Sequence, residues 1–121
     1  MACRAIRGAT TTSHNTKSHI IADTKALLTE MMAQNDIVVD HIASILFSLT
    51  TDLDAAFPAL AARQMGLSDV PLLCMNEIPV PGALEQCIRI LIHYNTDLTN
   101  AELHHVYLKE AVSLRPDHLR D

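Results

Sequence analysis

Residues 87–94 read CIRILIHY, and this alternation is the tightest constraint in the chain. In an extended segment it puts Ile88, Ile90 and Ile92 on one face and Cys87, Arg89, Leu91 and His93 on the other. An all-isoleucine face is stable only inside a sheet that a second layer covers. The covering element is legible upstream. Ile20, Ile21, Thr24, Leu27, Leu28, Met31 and Met32 recur at helical spacing, with Asn15 or Thr16 as N-cap and Asn35-Asp36 as the stop. Two more strands read as Cys3–Thr12, where Gly8 marks a bulge or a close approach, and Ile42–Thr50. The second of these shows Ala43, Ile45, Phe47 and Leu49 on one face and Ser44 and Ser48 on the other.

After a loop over 51–56, Pro58 and Gly66 bracket a helix of about two turns that carries Arg63. Val70–Met75 reads as a strand, followed by a loop punctuated by Pro79, Pro81 and Gly82. Thr99 and Glu102 form a capping-box signature for a short helix, and Val106–Leu108 and Val112–Leu114 read as short strands. Asp52 and Asp54, ahead of the Pro58 helix, read as caps. The sum is one α+β domain over residues 1–121, a mixed sheet with one long helix and shorter ones.

Composition excludes several functions. The 9 basic and 14 acidic residues give a net charge of −5, and Phe47, Phe57, Tyr94 and Tyr107 are the only aromatic residues, so no nucleic-acid partner is expected. No apolar run approaches the ~20 residues of a membrane span, and the first eight residues lack the apolar stretch of a signal peptide. A cytoplasmic protein with no membrane contact is the expectation. Cys3, Cys74 and Cys87 are odd in number and lack C-x-x-C spacing, which favours reduced thiols over disulfides or zinc. No G-x-S-x-G, G-x-G-x-x-G or P-loop pattern is present. His104 and His105 are adjacent, so in extended backbone they diverge and make a poor metal pair.

Arginine carries the chemical signal. Six of the nine basic residues are Arg, the side chain suited to bidentate recognition of carboxylate or phosphate. Arg89 lies among apolar neighbours, where desolvating a guanidinium costs several kcal/mol unless an anion compensates it. A bound anion is one reading; an internal salt bridge or a snorkelling edge residue is the other. Arg7 poses the same question on a face it shares with the small residues Cys3, Ala5 and Ala9. Glu77 stands at a strand end beside the Pro/Gly loop, a position where site residues concentrate.

Five colinear blocks then carry a resemblance: RAIRGATT (4–11), TDLDAAFPA (51–59), VPLLCMNE (70–77), GALEQCIR (82–89) and HVYLKEAVSLRPD (105–117). Together they resemble the monofunctional AroH-type chorismate mutases. The resemblance implies a mixed sheet with helices on one side, assembled as a homotrimeric pseudo α/β-barrel with active sites between neighbouring subunits. It also implies a Claisen rearrangement of chorismate to prephenate on the shikimate route to phenylalanine and tyrosine, with no cofactor, metal or nucleophile. Carried onto this sequence, Arg89 donates to the ether oxygen and an adjacent carboxylate, Arg7 holds the second carboxylate, and Tyr107 contacts the same region. Glu77 holds the ring hydroxyl and faces the positive charge that develops on the ring, with Cys74 nearby on the same segment. Phe57 and Arg63 close the site from the adjacent subunit, while Leu114 and Arg115 complete its lining. Leu60 and Leu73 depart from the family's frequent lysine and threonine, and a short tail follows Arg115. A trimeric small-anion binding or regulatory module without catalysis is the alternative.

Overall fold

The structure, a computed structural model, describes residues 1–115. Five strands, β1 (Ala2–Thr11), β2 (Ile42–Leu49), β3 (Leu72–Asn76), β4 (Cys87–Thr96) and β5 (Val106–Tyr107), form one sheet in the order β3-β2-β4-β1-β5. The central pairs β1/β4 and β2/β4 are antiparallel, and the edge strands β3 and β5 join in parallel. The helices α1 (Lys17–Gln34) and α2 (Ala59–Gln64) supply the covering layer. Ile6, Ile45, Phe47, Ile90 and Ile92 pack with Leu27, Leu28 and Met31 of α1 and with Ala59 and Ala62 of α2 in one core, so the isoleucine face of β4 is buried as its alternation requires.

Local chemistry sets the element ends. Thr16 is the N-cap of α1, its hydroxyl accepting from the His19 backbone N–H at 3.2 Å, and Asn35 ends the helix. Asn15 serves elsewhere: its carbonyl oxygen accepts from the Asp54 and Ala55 backbone N–H groups, and its amide donates to Asp54 Oδ1 at 2.8 Å. Neither Asp52 nor Asp54 caps α2, which has no side-chain cap; Asp52 instead accepts from the Gln86 backbone N–H and the Thr50 hydroxyl. Pro58 and Gly66 bracket α2, and Gly66 takes the left-handed φ of +87°. Thr99 and Glu102 form the expected capping box, on a single 3₁₀ turn over Asn100–Glu102.

Gly8 is a close approach and not a bulge: a Cβ there would lie 2.3 Å from the Met31 sulfur, so α1 packs against bare backbone. The sheet's bulge falls in β2 between Ile42 and Ser44, which takes Ala43 out of the alternation and leaves it exposed. Val112–Leu114 is not a strand. Lys109, at φ +52°, turns the chain out of the β5 ladder, and Lys109–Leu114 forms a 3₁₀ helix whose Ala111 is buried against Ala9 and Cys87. The tail beyond Arg115, including Pro116 and Asp117 of the last block, lies outside the described residues.

Candidate active site

On the sheet face away from α1, register aligns one row of side chains across all five strands. Met75 of β3 stands opposite Ser48 of β2, Ser48 opposite Arg89 of β4, Arg89 opposite Ala9 of β1, and Ala9 opposite Tyr107 of β5. Cross-strand neighbours share a face, so every member of the row projects to the same side. Arg7 joins them two residues before Ala9, opposite Leu91.

Glu77 extends the β3 ladder, its N–H donating to the Leu49 carbonyl at 2.8 Å. Its carboxylate accepts from the Ser48 hydroxyl and lies 3.4 Å from Arg89 Nε. The salt-bridge reading of Arg89 is thus correct as far as it goes. The Arg89 and Glu77 side chains retain 31% and 25% of their exposure, and the 3.4 Å contact lacks hydrogen-bond geometry: Arg89 Nε and the Tyr107 hydroxyl are buried atoms without a hydrogen-bond partner among the described residues. An unsatisfied buried polar group costs about 1–3 kcal/mol, which an anionic or hydroxylated ligand placed there offsets. Arg7, Ser48, Glu77 and Arg89 line an open cavity of about 420 Å³.

Cys87, two residues from Arg89 on the same face as the alternation places it, is buried beside the guanidinium. Burial pushes its thiol pKa up, against the opposing pull of Arg89, so the neutral thiol leaves the guanidinium charge available to a ligand. Leu114 and Tyr107 pack around the Ala9, Cys87 and Ala111 cluster beside it, and Arg115 follows at the surface.

The remaining expected residues lie elsewhere. Cys74 pairs with Phe47, whose ring is in the helix-side core, so Cys74 shares that face of the sheet and not the face of Arg89. It lines a second cavity of about 550 Å³ with Phe57, Leu60 and Arg63. Leu73 returns to the Arg89 side, opposite Leu46, and is exposed. Edge strand β3 therefore stands between two groups of residues, Arg7, Glu77, Arg89 and Tyr107 on one side and Phe57, Arg63 and Cys74 on the other. Among the described residues, no three His, Cys, Asp or Glu side chains are grouped to hold a metal ion.

Fold and cavities define a mixed-sheet α+β protein with arginine on each of two cavity walls. The chain belongs to the chorismate mutase type I family, whose pattern it matches over residues 3–118. It is 48% identical over 115 residues to the chorismate mutase AroH of Thermus thermophilus, covering 94% of each chain. It is 42% identical over 118 residues to that of Bacillus subtilis, covering 97% of this chain and 93% of the relative. A solved chorismate mutase from Clostridium thermocellum superposes with a TM-score of 0.88 at 55% identity, over 90% of this chain and 97% of that one.

Proposed function

We propose that this chain rearranges chorismate to prephenate at a site built from both groups of residues, each supplied by a different copy in a homotrimer. The observation that carries the reading is the pairing of two unsatisfied polar atoms, Arg89 Nε and the Tyr107 hydroxyl, with the Arg89–Glu77 charge pair on one sheet face. Within one chain the sheet separates Arg89 from Arg63, so only a second copy brings Arg63 and Phe57 over the Arg89 face. Apolar exposure supports such contact: Ile78 is 80% and Phe57 73% exposed, with Leu73 and Met75 of β3 and Val80 beyond it also exposed. Three identical chains in a closed ring give three equivalent sites.

The charges suit the substrate. Arginines outnumber the Glu77 carboxylate among these residues, so the combined site is positive toward a dianion. Gripping both carboxylates selects the folded conformer, an orientational effect that reaches ~7–11 kcal/mol in favourable intramolecular reactions. When the ether bond breaks ahead of carbon–carbon bond formation, negative charge gathers on the ether oxygen and positive charge on the ring. Arg89, fixed by its strand and by Glu77, donates to that oxygen, and the Glu77 carboxylate faces the ring. Both interactions strengthen in the transition state, which is what accelerates the reaction. The step is unimolecular, so the chain's own residues have only to bind, orient and stabilise charge.

Incubation of the purified protein with chorismate, followed by ultraviolet absorbance, is expected to show prephenate forming; an unreacted substrate that nonetheless binds selects the non-catalytic module. Glu77→Gln keeps the oxygen that accepts from Ser48 but removes the charge. It is expected to unfold at the wild-type temperature while kcat falls at least ~10-fold, about 1.4 kcal/mol of barrier. Wild-type turnover in that variant would remove Glu77 from the ring-facing role.

A further inference from the structure

The segment that delivers Tyr107 to the site is held by two side chains that the mechanism has not used. Asn35, at the end of α1 and 7% exposed, clamps the backbone of residue 104: its amide donates to the His104 carbonyl at 2.8 Å and its oxygen accepts from the His104 N–H at 2.8 Å. The same amide also donates to the Met31 carbonyl at 2.9 Å, tying the clamp to the helix. From this fixed point His105 lays its ring against the edge of β1, where the Arg7 backbone N–H donates to His105 Nδ1 at 2.9 Å. The ladder proper begins one residue later, with Gly8 opposite Val106 and Ala9 opposite Tyr107, and the Leu108 N–H donating to the Ala9 carbonyl. An imidazole thus stands in for a strand carbonyl, at a bond that links Arg7 to the segment leading into Tyr107.

We infer that His105 is a positioning residue whose neutral ring, by accepting the Arg7 N–H at Nδ1, sets Arg7 and Tyr107 against the substrate and releases them in acid. The inference rests on the reading of Arg7 and Tyr107 as substrate contacts. An Nδ1 that accepts carries no proton, so the ring's proton is on Nε2; protonation turns the acceptor into a donor facing a donor. The charged and titratable groups facing the ring are Arg7 from β1 and the neighbouring His104. Burial first, then the charge of Arg7 and that of His104, hold its pKa below the ordinary 6.5. The unfolded chain therefore takes up this proton before the folded one, and the contribution of His105 to stability, complete above the ordinary value, declines as pH falls below it.

The test combines nitrogen NMR of histidine-labelled protein with pH profiles of three variants on chorismate. At pH 7.5 the His105 ring is expected as the Nε2–H tautomer. His105→Asn offers an amide oxygen where Nδ1 stood; it is expected to stay within about threefold of wild-type kcat/KM at pH 7.5 and to lose less activity than wild type on descent to pH 5.5. His105→Ala is expected to raise KM about fivefold, the scale of one lost hydrogen bond, with a smaller change in kcat. An Nδ1–H tautomer, or a wild-type KM and acid limb in both variants, overturns the inference. Arg7→Ala in the same assay separates the two levels. An unchanged KM there refutes the role of Arg7 itself, whereas a raised KM beside inert His105 variants refutes only the positioning by His105.

Discussion

Arg89→Ala is expected to lower kcat by ~10²- to 10³-fold, the effect of removing one preorganised donor from a developing oxyanion. The protein should still fold. The side chain is 31% exposed and its pairing with Glu77 is a 3.4 Å contact without hydrogen-bond geometry, so its loss leaves Glu77 bonded to Ser48 and partly solvated. Arg89→Lys divides charge from shape. A lysine keeps the positive charge and loses the planar fork that addresses two oxygens at once, so it is expected to recover only part of the lost rate. Steady-state kinetics beside thermal unfolding decides the matter. A folded Arg89→Ala protein with wild-type kcat would make the residue a structural ion-pair partner, and a variant that fails to fold would do the same.

Phe47→Ala is expected to cost about 3–5 kcal/mol of stability, the range for deleting a buried aromatic ring. Phe47 is fully buried at the middle of the sheet, opposite Ile90 on one side and Cys74 on the other, in the core it shares with α1 and α2. Its strand neighbours Leu46 and Ser48 project to the opposite face and line the cavity beside Arg89. Collapse around the missing ring therefore moves Ser48, and with it Glu77. Urea unfolding should show a lower midpoint at an unchanged slope, and Phe47→Leu a smaller loss. A midpoint within error of wild type would mean that the helix layer is not held through this ring.

What the sequence could and could not disclose follows from the range of the forces involved. The alternation of residues 87–94, the 3.6-residue pattern of α1 and the Thr99–Glu102 capping box are short-range signals, and each forms as read. Ala43 escapes the pattern because a bulge is a property of pairing with β4, invisible in β2 alone. The face that Cys74 takes is hidden for a related reason. Leu72, Leu73, Cys74 and Met75 are all apolar, so nothing in the segment distinguishes its two faces until register with β2 assigns them. Val112–Leu114 has strand-forming residues but follows a left-handed Lys109 at the end of the last ladder, and it finds no neighbour to pair with. The contacts of Asn15, Asn35 and His105 span 39 to 98 residues of chain and leave no local mark. The site roles came from five matching blocks, while the physics of a charged residue in an apolar strand marked Arg89 and Arg7 independently.

The central question is whether residues on opposite sides of β3 belong to one site, and mixed oligomers answer it most directly. Arg89→Ala and Arg63→Ala proteins, each nearly inactive alone, are unfolded together, refolded at equal concentration and assayed with chorismate. Random assortment gives about one in four sites an intact Arg89 face from one copy and an intact Arg63 face from the next, so the mixture is expected to recover about a quarter of wild-type activity. A mixture that assembles like wild type yet stays as inactive as its two parents would contradict a site shared between copies.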